Sequence, residues 1–432
     1  MKESYVLNSP AKINLFLNVD AKLNTGYHAI STYFKILPQI ADYLIVTWEQ
    51  VADPQDMPSD PLEAGRIFLN NLEIHGFEGI VAKEGNLIYK SLAHLAMSTE
   101  LLSTASAEQI KNFASYKLVV KVDKRVPVQG GLGGGSSNGA VILQTVAKKF
   151  FPLLTPSNLI AIAQRVGADC AVFVHGKSSL AYRIGDLFFT PQAEEFYQVF
   201  STLYHYLEGI KEIDLTDPLS FYDYGSRELK VYPNIAYLQE LVLVLVDLAQ
   251  QLIDAVNKNP NIIPNQALDF ISLARHIEHK YHAWLNGYFL VFTSDYKVDT
   301  GNAFKSLGNL PQLQMEENPR KFKQTFLQSW KNTLKQLELD PEAPQHSLNS
   351  FANNFFANSP LLDDLKHKFN GNLQLTGTGA TCFVYVPRLE TILNWHLRKF
   401  KEFCKENPLA AQFNLQMHKI DLVNSNLEIW SA

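Results

Sequence analysis

The sequence predicts a globular α/β protein. Its 432 residues are enough for two or three domains. Hydrophobic residues make up 46% of the chain and charged residues 19%, a balance that favours a well-packed core over disorder. Segments with the period of a strand alternate with segments with the period of an amphipathic helix, and one such pair encloses a run of glycines.

Composition and charge exclude several classes of protein. The net charge of -5 gives no sign of binding to nucleic acid or to an acidic membrane. Residues Met1–Ser9 lack the apolar core of a signal peptide, and the most apolar run, Leu241–Val246, is too short to span a bilayer. The three cysteines have no metal-ligand spacing and suit a reducing compartment: Cys170, Cys382 and Cys404. We therefore expect a cytoplasmic protein with neither a nucleic-acid nor a membrane partner.

The most informative stretch is a glycine loop between Arg125 and Ala140, where five glycines fall within six residues. An apolar strand pattern at 116–122 precedes the loop, and a helical pattern at 140–150 follows it. Glycines let backbone N–H groups approach an anion closely, and a helix N-terminus adds unpaired donors. The loop is therefore predicted to bind phosphate, with Ser136, Ser137 and Asn138 capping the helix; the alternative is a flexible linker.

The other common phosphate loops do not match this stretch. A Walker loop requires a Lys after its last glycine, and none follows here. The dinucleotide fingerprint begins correctly at Gly131 and Gly133 but meets Ser136 where its third glycine belongs. The Gly176-Lys177-Ser178 triplet ends like a Walker loop, but Ala171 stands at the first glycine position.

Polar residues interrupt the first predicted strand, Ser9–Val19. Its aliphatic residues alternate with polar ones, so Lys12 and Asn14 share the opposite face. That face is either solvated or part of a site. The following turn carries Tyr27 and His28, which are either surface or core residues, or ligands.

Further segments carry isolated candidates. Asn86 is predicted to cap a helix that runs to about Met97, and 298–304 leads into another helix. Asp169 is predicted at the edge of an apolar strand that ends at Val174; a carboxylate there must be capped, paired or used. From 192 to 284 apolar residues recur at helical spacing. One predicted helix carries three histidines at intervals of three residues: His276, His279 and His282. They form either a polar face or a metal site, and we assign no metal ligand there.

Three motifs in this order resemble the GHMP kinase superfamily over about 5–190 and 285–390: Pro10–Phe16 with Gly26–His28, Gly130–Asn138 with Gly167–Asp169, and Thr376–Ala380. Within the superfamily they are similar to the kinases that act on 4-diphosphocytidyl-2-C-methyl-D-erythritol in the non-mevalonate isoprenoid route. The resemblance implies a two-domain α/β fold with the active site in the cleft between the domains. It also implies ATP, Mg2+ and a small cytidine-diphosphate substrate.

The resemblance implies a role for each matching residue. Asp169 would be the catalytic base, and Lys12 would stabilise its charge and the transferring phosphoryl group. ATP would be bound in and around the glycine loop by Asn86, Lys124, Gly130, Gly131, Leu132, Gly133, Gly134, Gly135, Ser136, Ser137 and Asn138. On the substrate side, Tyr27 and Phe304 would cover the two faces of cytosine and His28 would bond its edge. Asn14 would contact the sugar alcohol, Thr300 belongs to the Phe304 segment, and Thr378 and Gly379 would serve the diphosphate.

The sequence departs from the family pattern in three places. Gln129 stands where the family usually has Gly, and Gly139 where it usually has Ala. The third departure is an insert, 191–284, predicted to be mainly helical, between an ATP-binding domain at 1–190 and a C-terminal domain at 285–432. The insert could cap the substrate cleft, form a homodimer surface or bind a partner. Two alternative functions remain: a GHMP kinase for a different small alcohol, and a non-catalytic GHMP-like binding protein.

Overall fold

The computed structural model describes residues 2–77, 81–128, 130–210, 214–230, 235–259, 268–315, 318–339, 348–423 and 427–431. Gln129 lies outside these residues, and so does 340–344, where the Pro-containing sequence predicts a loop. The chain divides into two compact units. The first comprises 1–12, 36–128 and 132–177, and the second comprises 13–35, 129–131 and 178–432.

The first unit combines a small sheet with helices. Its strands are parts of β1 (Lys2–Leu23) and β2 (His28–Gln50), together with β3 (Leu72–His75) and β4 (Tyr116–Asp123). β4 pairs antiparallel with β2, from Tyr116 opposite Gln50 to Asp123 opposite Tyr43, and parallel with β3. The helices are α1 (Pro61–Asn70), α2 (Leu87–Ala96), α3 (Thr99–Thr104), α4 (Ala107–Ala114), α5 (Gly134–Phe150), α6 (Pro156–Val166) and α7 (Ala168–His175).

Aromatic side chains fill the core of the first unit. Phe68 of α1 stacks on Phe113 of α4, with ring centroids 4.0 Å apart. Trp48 of β2 and Phe150 of α5 meet edge to face at 5.4 Å. These contacts fix α4 against α1 and the C-terminal end of α5 against β2, because large buried rings allow few alternative packings.

The second unit contains an antiparallel five-stranded sheet and several shorter strand pairs. Its further strands are β5 (Ser179–Tyr182), β6 (Leu187–Phe188), β7 (Tyr222–Asp223), β8 (Glu228–Leu229), β9 (Tyr288–Thr293), β10 (Gln312–Leu313), β11 (Gln374–Leu375), β12 (Cys382–Val386), β13 (Gln416–Asp421) and β14 (Leu427–Ser431). The order of the five-stranded sheet is β11-β12-β9-β13-β14. Elsewhere in the unit, β1 pairs with β10, and β2 pairs with β5, which pairs with β6.

Helices cover the strands of the second unit. They are α8 (Glu194–Gly209), α9 (Ile235–Lys258), α10 (Leu268–Lys280), α11 (Thr300–Lys305), α12 (Pro319–Leu339), α13 (Ala352–Ala357), α14 (Pro360–Lys368), α15 (Glu390–Glu406) and α16 (Pro408–Gln412). Phe292 of β9 packs against Phe369 and against Phe400 of α15, with ring centroids 5.3 and 5.7 Å apart. This apolar layer holds β9 under the helices.

The structure confirms the helical prediction for the described part of the insert, which contains α8, α9 and α10. Lys35 on β2 donates to both oxygens of Asp247 on α9, at 2.8 and 2.7 Å, and the Tyr33 hydroxyl donates to the same carboxylate at 3.1 Å. Gln251 of α9 in turn donates to the Tyr33 hydroxyl at 3.0 Å. The insert helix α9 is therefore anchored on β2. The predicted division at 190 and 284 remains a proposal.

Three local predictions were wrong. The strand predicted after Asp169 is the helix α7, because a short, uniformly apolar run has no period that separates the two structures. The segment 50–64 is rich in Pro and Asp, which predicts a loop, but Asp60 caps α1, so the loop ends earlier. The caps predicted at Ser136, Ser137 and Asn138 lie inside α5, whose N-cap is Gly133. Within the described residues, no helix combines the length and apolarity that a bilayer-spanning segment requires.

Candidate active site

Gly133 shapes the glycine loop at the start of α5. Its φ is +73°, in the left-handed region, and a Cβ added to it would lie 2.8 Å from the ring of Phe173. Only glycine satisfies both conditions. Among the described residues no side chain caps α5, and the first N–H groups of a helix have no acceptor within the helix and lie at its positive end. The geometry suits an anion such as phosphate.

Lys12 and Asp169 form an ion pair within the first unit. Lys12 Nζ lies 3.6 Å from Asp169 Oδ2, and Lys12 is only 4% exposed. The N–H of Lys12 donates to the Leu132 carbonyl at 3.0 Å, and its Cγ would lie 3.3 Å from a Cβ on Gly133. Lys12 therefore joins the glycine loop to Asp169. The solvated-face alternative is wrong, since Lys12 and Asn14 are both buried.

Asp169 lies in the first turn of α7, after Gly167. A carboxylate near a helix N-terminus is favoured by the helix dipole. Its side chain is 38% exposed, so it remains accessible to a substrate while one oxygen faces the Lys12 amine. The pair thus offers a proton acceptor and a fixed cation at one place.

Lys124 and Asn138 share one carboxylate that the sequence analysis missed. Asp42 Oδ2 accepts from Lys124 Nζ at 2.6 Å and from Asn138 Nδ2 at 3.0 Å. The only sequence signal was an acidic residue inside the apolar pattern of β2. The two predicted ATP ligands are therefore held by a common, buried partner.

The remaining candidates of the first unit lie around α2 and α5. Asn86 caps α2 as predicted, accepting from the Ile88 N–H at 2.9 Å. Ser137 is buried and accepts from the Ser9 hydroxyl at 2.8 Å, whereas Ser136 bonds to the Cys170 side chain. Burial raises the pKa of the Cys170 thiol to about 12, so it is inert as a nucleophile.

Gly139, one of the departures from the family pattern, lies where α5 approaches α2. A Cβ there would lie 2.6 Å from the Ser91 hydroxyl and 2.8 Å from the Leu87 carbonyl. Alanine would not fit without a shift of α2, so the packing in this chain explains why Gly stands here in place of the usual Ala. The neighbouring Gly135 also lies close to α2, since its Cβ would be 3.6 Å from Leu87.

In the second unit, Asn14 is fixed by two threonines. Its N–H donates to Thr376 Oγ1 at 2.7 Å, and its Nδ2 donates to Thr32 Oγ1 at 2.8 Å. Asn349 supports the Thr376–Ala380 turn by donating to the carbonyls of Leu375 and Gly377 at 3.0 and 2.9 Å. Sequence reasoning missed Thr32 and Asn349, because only the fold brings these ordinary polar residues to the site.

The Thr376–Ala380 turn also approaches the first part of the glycine loop. A Cβ on Gly131 would lie 3.2 Å from the Thr376 carbonyl and 3.4 Å from the Gly379 carbonyl. Gly130 is buried beside it in the chain. Gly379 has φ +135°, and a Cβ there would lie 2.7 Å from the Phe355 ring. Gly131, with φ +74°, therefore packs against the backbone of the turn, and Gly379 packs against an aromatic side chain, so both positions favour glycine.

The predicted cytosine site contains a ring pair that the sequence did not suggest. His28 stacks on Phe304, with centroids 4.4 Å apart and planes at 17°. Burial lowers the pKa of His28, and the charge of Lys22 lowers it further, so the ring is neutral at pH 7. One face of Phe304 is thus covered by His28, whereas the Tyr27 side chain is 63% exposed.

Thr300 and Thr378 meet at the N-terminal end of α11. Their hydroxyls lie 3.3 Å apart. As predicted, 298–304 leads into a helix, with Asp299 as its cap. A pocket of about 240 Å³ lies beside Thr378, lined by Lys297, Asn302 and Phe355 among others. The hydroxyls and this pocket give the second unit an accessible polar surface.

Comparison with known proteins found a family match for part of the chain. Residues 86–177 match the model of the GHMP kinases N terminal domain. This segment is similar to that domain. The matched segment contains the glycine loop from Gly130 to Asn138 as well as Asp169, whereas Lys12 precedes it and the second-unit residues Thr300 and Thr378 follow it.

Curated relatives extend the similarity beyond that segment. The 4-diphosphocytidyl-2-C-methyl-D-erythritol kinase of Psychrobacter cryohalolentis is 34% identical over 186 residues, which cover 41% of this chain and 54% of the relative. The kinase of the same name from Francisella philomiragia is 31% identical over 191 residues, covering 44% and 58%. The chain thus spans little more than half the length of these relatives.

Solved structures of GHMP kinases also align with the chain. A 4-(cytidine 5'-diphospho)-2C-methyl-D-erythritol kinase aligns over 93% of this chain and 96% of its own, with a TM-score of 0.45 and 16% identity. A homoserine kinase from Cytophaga hutchinsonii aligns over 100% and 98%, with a TM-score of 0.46 and 12% identity.

Proposed function

We propose that this protein is an ATP-dependent kinase that phosphorylates 4-diphosphocytidyl-2-C-methyl-D-erythritol, in the cytoplasm, on the non-mevalonate route to isoprenoid precursors. The observation that carries the proposal is the Lys12–Asp169 ion pair against the glycine loop of the segment that matches the GHMP kinases. The names of the relatives support the substrate. A protein that only bound a ligand would not require a base and a cation at this place.

In the proposed reaction, Asp169 accepts the proton of the substrate hydroxyl while that oxygen bonds to the γ-phosphorus of ATP. The bond from this phosphorus to the bridging oxygen breaks, and ADP carries away the electron pair. Lys12 stabilises the negative charge on the transferring group and on the carboxylate. Phosphoryl transfer depends mainly on such positioning and charge neutralisation.

The residues of the glycine loop match the requirements of ATP. The uncapped N–H groups at the start of α5 would bind its phosphates, and the Lys124 amine lies at the same helix end. Mg2+, when bound, neutralises the phosphate charge. It is usually held by phosphate oxygens and one or two carboxylates. We assign no protein ligand to Mg2+, which would be held by the phosphate oxygens of ATP, and Asp169 keeps the role of the base.

On the substrate side, we assign the cytosine to Tyr27, His28 and Phe304. The exposed Tyr27 ring offers a stacking face, and neutral His28 can bond a base edge. Asn14 would contact the sugar alcohol, while Thr300, Thr378 and Gly379 would serve the diphosphate. For the insert, 191–284, we propose contact with a second copy or a partner.

The proposal is tested by ADP release from the purified full chain with Mg2+-ATP and 4-diphosphocytidyl-2-C-methyl-D-erythritol. We expect release that depends on substrate and falls about 10³-fold in Asp169→Asn, while ATP binding is kept. Asp123→Asn, an exposed carboxylate of the same unit, is the matched control. Absence of substrate-dependent release, or full activity of Asp169→Asn, would contradict the proposal. ADP release with a different small alcohol would instead support the alternative of a GHMP kinase with another substrate.

A further inference from the structure

Asp42 lies where β4 leaves the sheet and the chain enters the glycine loop. The ladder between β2 and β4 ends at the pair Tyr43 and Asp123, and Asp42 is the next residue along β2. Beyond that pair the ladder no longer supplies backbone acceptors. The N–H groups of Arg125 and Val126 instead donate to Asp42 Oδ1, at 2.8 and 2.7 Å. A side chain thus replaces the missing strand partner.

The other oxygen of the Asp42 carboxylate binds two side chains. Lys124 Nζ donates at 2.6 Å, and Asn138 Nδ2, from the second turn of α5, donates at 3.0 Å. The Asp42 residue is 0% exposed, so these four donors together replace its water. A buried carboxylate with a full set of charged and neutral donors is held in one position.

The four bonds connect both ends of the glycine loop to one carboxylate. Val126 lies on the strand side of the loop, four residues before Gly130, and Asn138 lies in α5 on the other side. The Lys124 amine also reaches the first residue of α5, since a Cβ on Gly134 would lie 2.7 Å from Lys124 Nζ. The strand end, the amine and the start of the helix therefore keep a fixed geometry through Asp42.

We propose that Asp42 is a positioning residue for nucleotide binding, which holds the two ends of the glycine loop and the Lys124 amine in register. The inference rests on the proposed function, because it presumes that the loop binds the phosphates of ATP. It assigns Asp42 no contact with ATP and no part in proton transfer. Its effect reaches the nucleotide only through Lys124, the loop and Asn138.

Asp42→Asn is the most informative variant, because it keeps the volume and shape of the side chain. One amide oxygen can still accept from the N–H groups of Arg125 and Val126. The amide NH2 then faces the Lys124 amine and the Asn138 NH2, so that donors meet donors. The loop ends lose two side-chain bonds while the rest of the unit is unchanged.

The experiment measures ATP binding by equilibrium dialysis, and the KM for ATP, the KM for the cytidine substrate and kcat. For Asp42→Asn we expect the ATP Kd and KM to rise tenfold or more, with the substrate KM changed less than twofold. The control is Asp123→Asn, which also removes a carboxylate partner of the 124–126 segment, at an exposed site. Its constants should stay within twofold of wild type.

A second variant, Asp42→Ala, removes both carboxylate oxygens and with them all four bonds. We expect it to raise the ATP Kd and KM at least as much as Asp42→Asn does. A folded Asp42→Asn or Asp42→Ala protein that binds ATP as wild type does would overturn the proposal.

If neither variant folds, amide hydrogen exchange in the wild-type protein decides. The Arg125 and Val126 amides should exchange as slowly as those of β4, and exchange at the rate of free amides would reject the Asp42 bonds. Failure of the proposed function looks different. In that case the wild-type protein itself binds no ATP or transfers no phosphate, whereas failure of the Asp42 assignment leaves wild-type activity intact.

Discussion

The Lys12 amine lies 3.6 Å from the Asp169 carboxylate, against a glycine that no other residue can replace. Lys12 comes from β1 and Asp169 from the first turn of α7. A buried amine beside a partly exposed carboxylate provides one group to hold charge and one to exchange a proton. The predictions below test this pair first and then the surroundings that support it.

Lys12→Met should lower kcat by about 10²–10³-fold, because the fixed cation that stabilises charge in the transition state is lost. Steady-state ADP release measures the effect. Lys117→Met is the matched control, since the Lys117 amine pairs with Glu73 at the surface of the same unit. A kcat within twofold of wild type would show that Lys12 has no role in the chemical step.

Gly133→Ala should destabilise the protein and weaken ATP binding more than tenfold. Alanine at φ +73° costs about 1–2 kcal/mol, and its Cβ would also clash with Phe173. Gly308→Ala separates the two effects, since Gly308 has φ +72° but no atom of the described residues within 4 Å of an added Cβ. Urea unfolding and ATP dialysis measure both variants. If both variants lost the same free energy of unfolding and Gly133→Ala kept the wild-type affinity for ATP, the predicted clash with Phe173 would be wrong.

Tyr27→Ala should raise the KM for the cytidine substrate by roughly 5- to 100-fold and leave the KM for ATP unchanged. Stacking of an aromatic ring on a base contributes about 1–3 kcal/mol. Tyr224→Ala is the control, because Tyr224 is similarly exposed at 64% in the same unit. A substrate KM equal to that of the wild type would remove Tyr27 from the cytosine site.

Asp247→Ala should lower the free energy of unfolding by about 1–3 kcal/mol. The substitution removes the partner of the Lys35 amine and the acceptor of the buried Tyr33 hydroxyl. Glu428→Ala breaks a surface pair with Lys419 in the same unit and should cost less than about 1 kcal/mol. Urea unfolding compares the two. Equal costs would mean that α9 of the insert is not anchored through Asp247.

We expect the contribution of Asp20 to the free energy of unfolding to fall as pH rises. Burial raises the pKa of Asp20 from 3.8 to about 7, against the lowering effect of hydrogen bonds from Ser31 and Ser329. Between these pH values the folded protein holds a proton that the unfolded chain has released. The stabilisation from this proton is therefore complete below about pH 4 and is lost as pH rises through 7.

Asp20→Asn tests this dependence, since it removes the charge and keeps the shape. Its gain in stability over wild type should grow from pH 4 to pH 8 by an amount of the order of 2–4 kcal/mol. Unfolding in urea at several pH values measures the gain. Asp254→Asn, at an exposed position on α9, is the matched control. A constant difference for Asp20→Asn would contradict the raised pKa.

Local signals explain what the sequence could predict. The glycine loop, the Asn86 cap and the helix after Asp299 each depend on residues within a few positions of one another, where backbone conformation decides. Resemblance to a family added Lys12 and Asp169, which lie far apart in the sequence. The same resemblance added the turn at Thr376–Ala380 to the candidate site.

Long-range partners explain what the sequence could not predict. Asn138 and its acceptor Asp42 are 96 positions apart, and nothing local indicates that an acidic residue on β2 faces the loop. Asn349 carries no local signal, because only the fold places its amide beside the Leu375 carbonyl. The same holds for Thr32, whose hydroxyl accepts from the Asn14 side-chain amide. The run after Asp169 was assigned wrongly because buried helices and strands have the same apolar composition.

The bond from the Asn14 N–H to Thr376 joins residues 362 positions apart within one unit. A ribosome adds about 5–20 residues per second, so Asn14 waits roughly 20–70 s for its partner during synthesis. The glycine loop emerges long before that. A nascent chain can therefore form the fold around this loop early, while the apolar segment around Asn14 stays without its partners and open to chaperones. The packing around Asn14 is completed only after Thr376 has been synthesised.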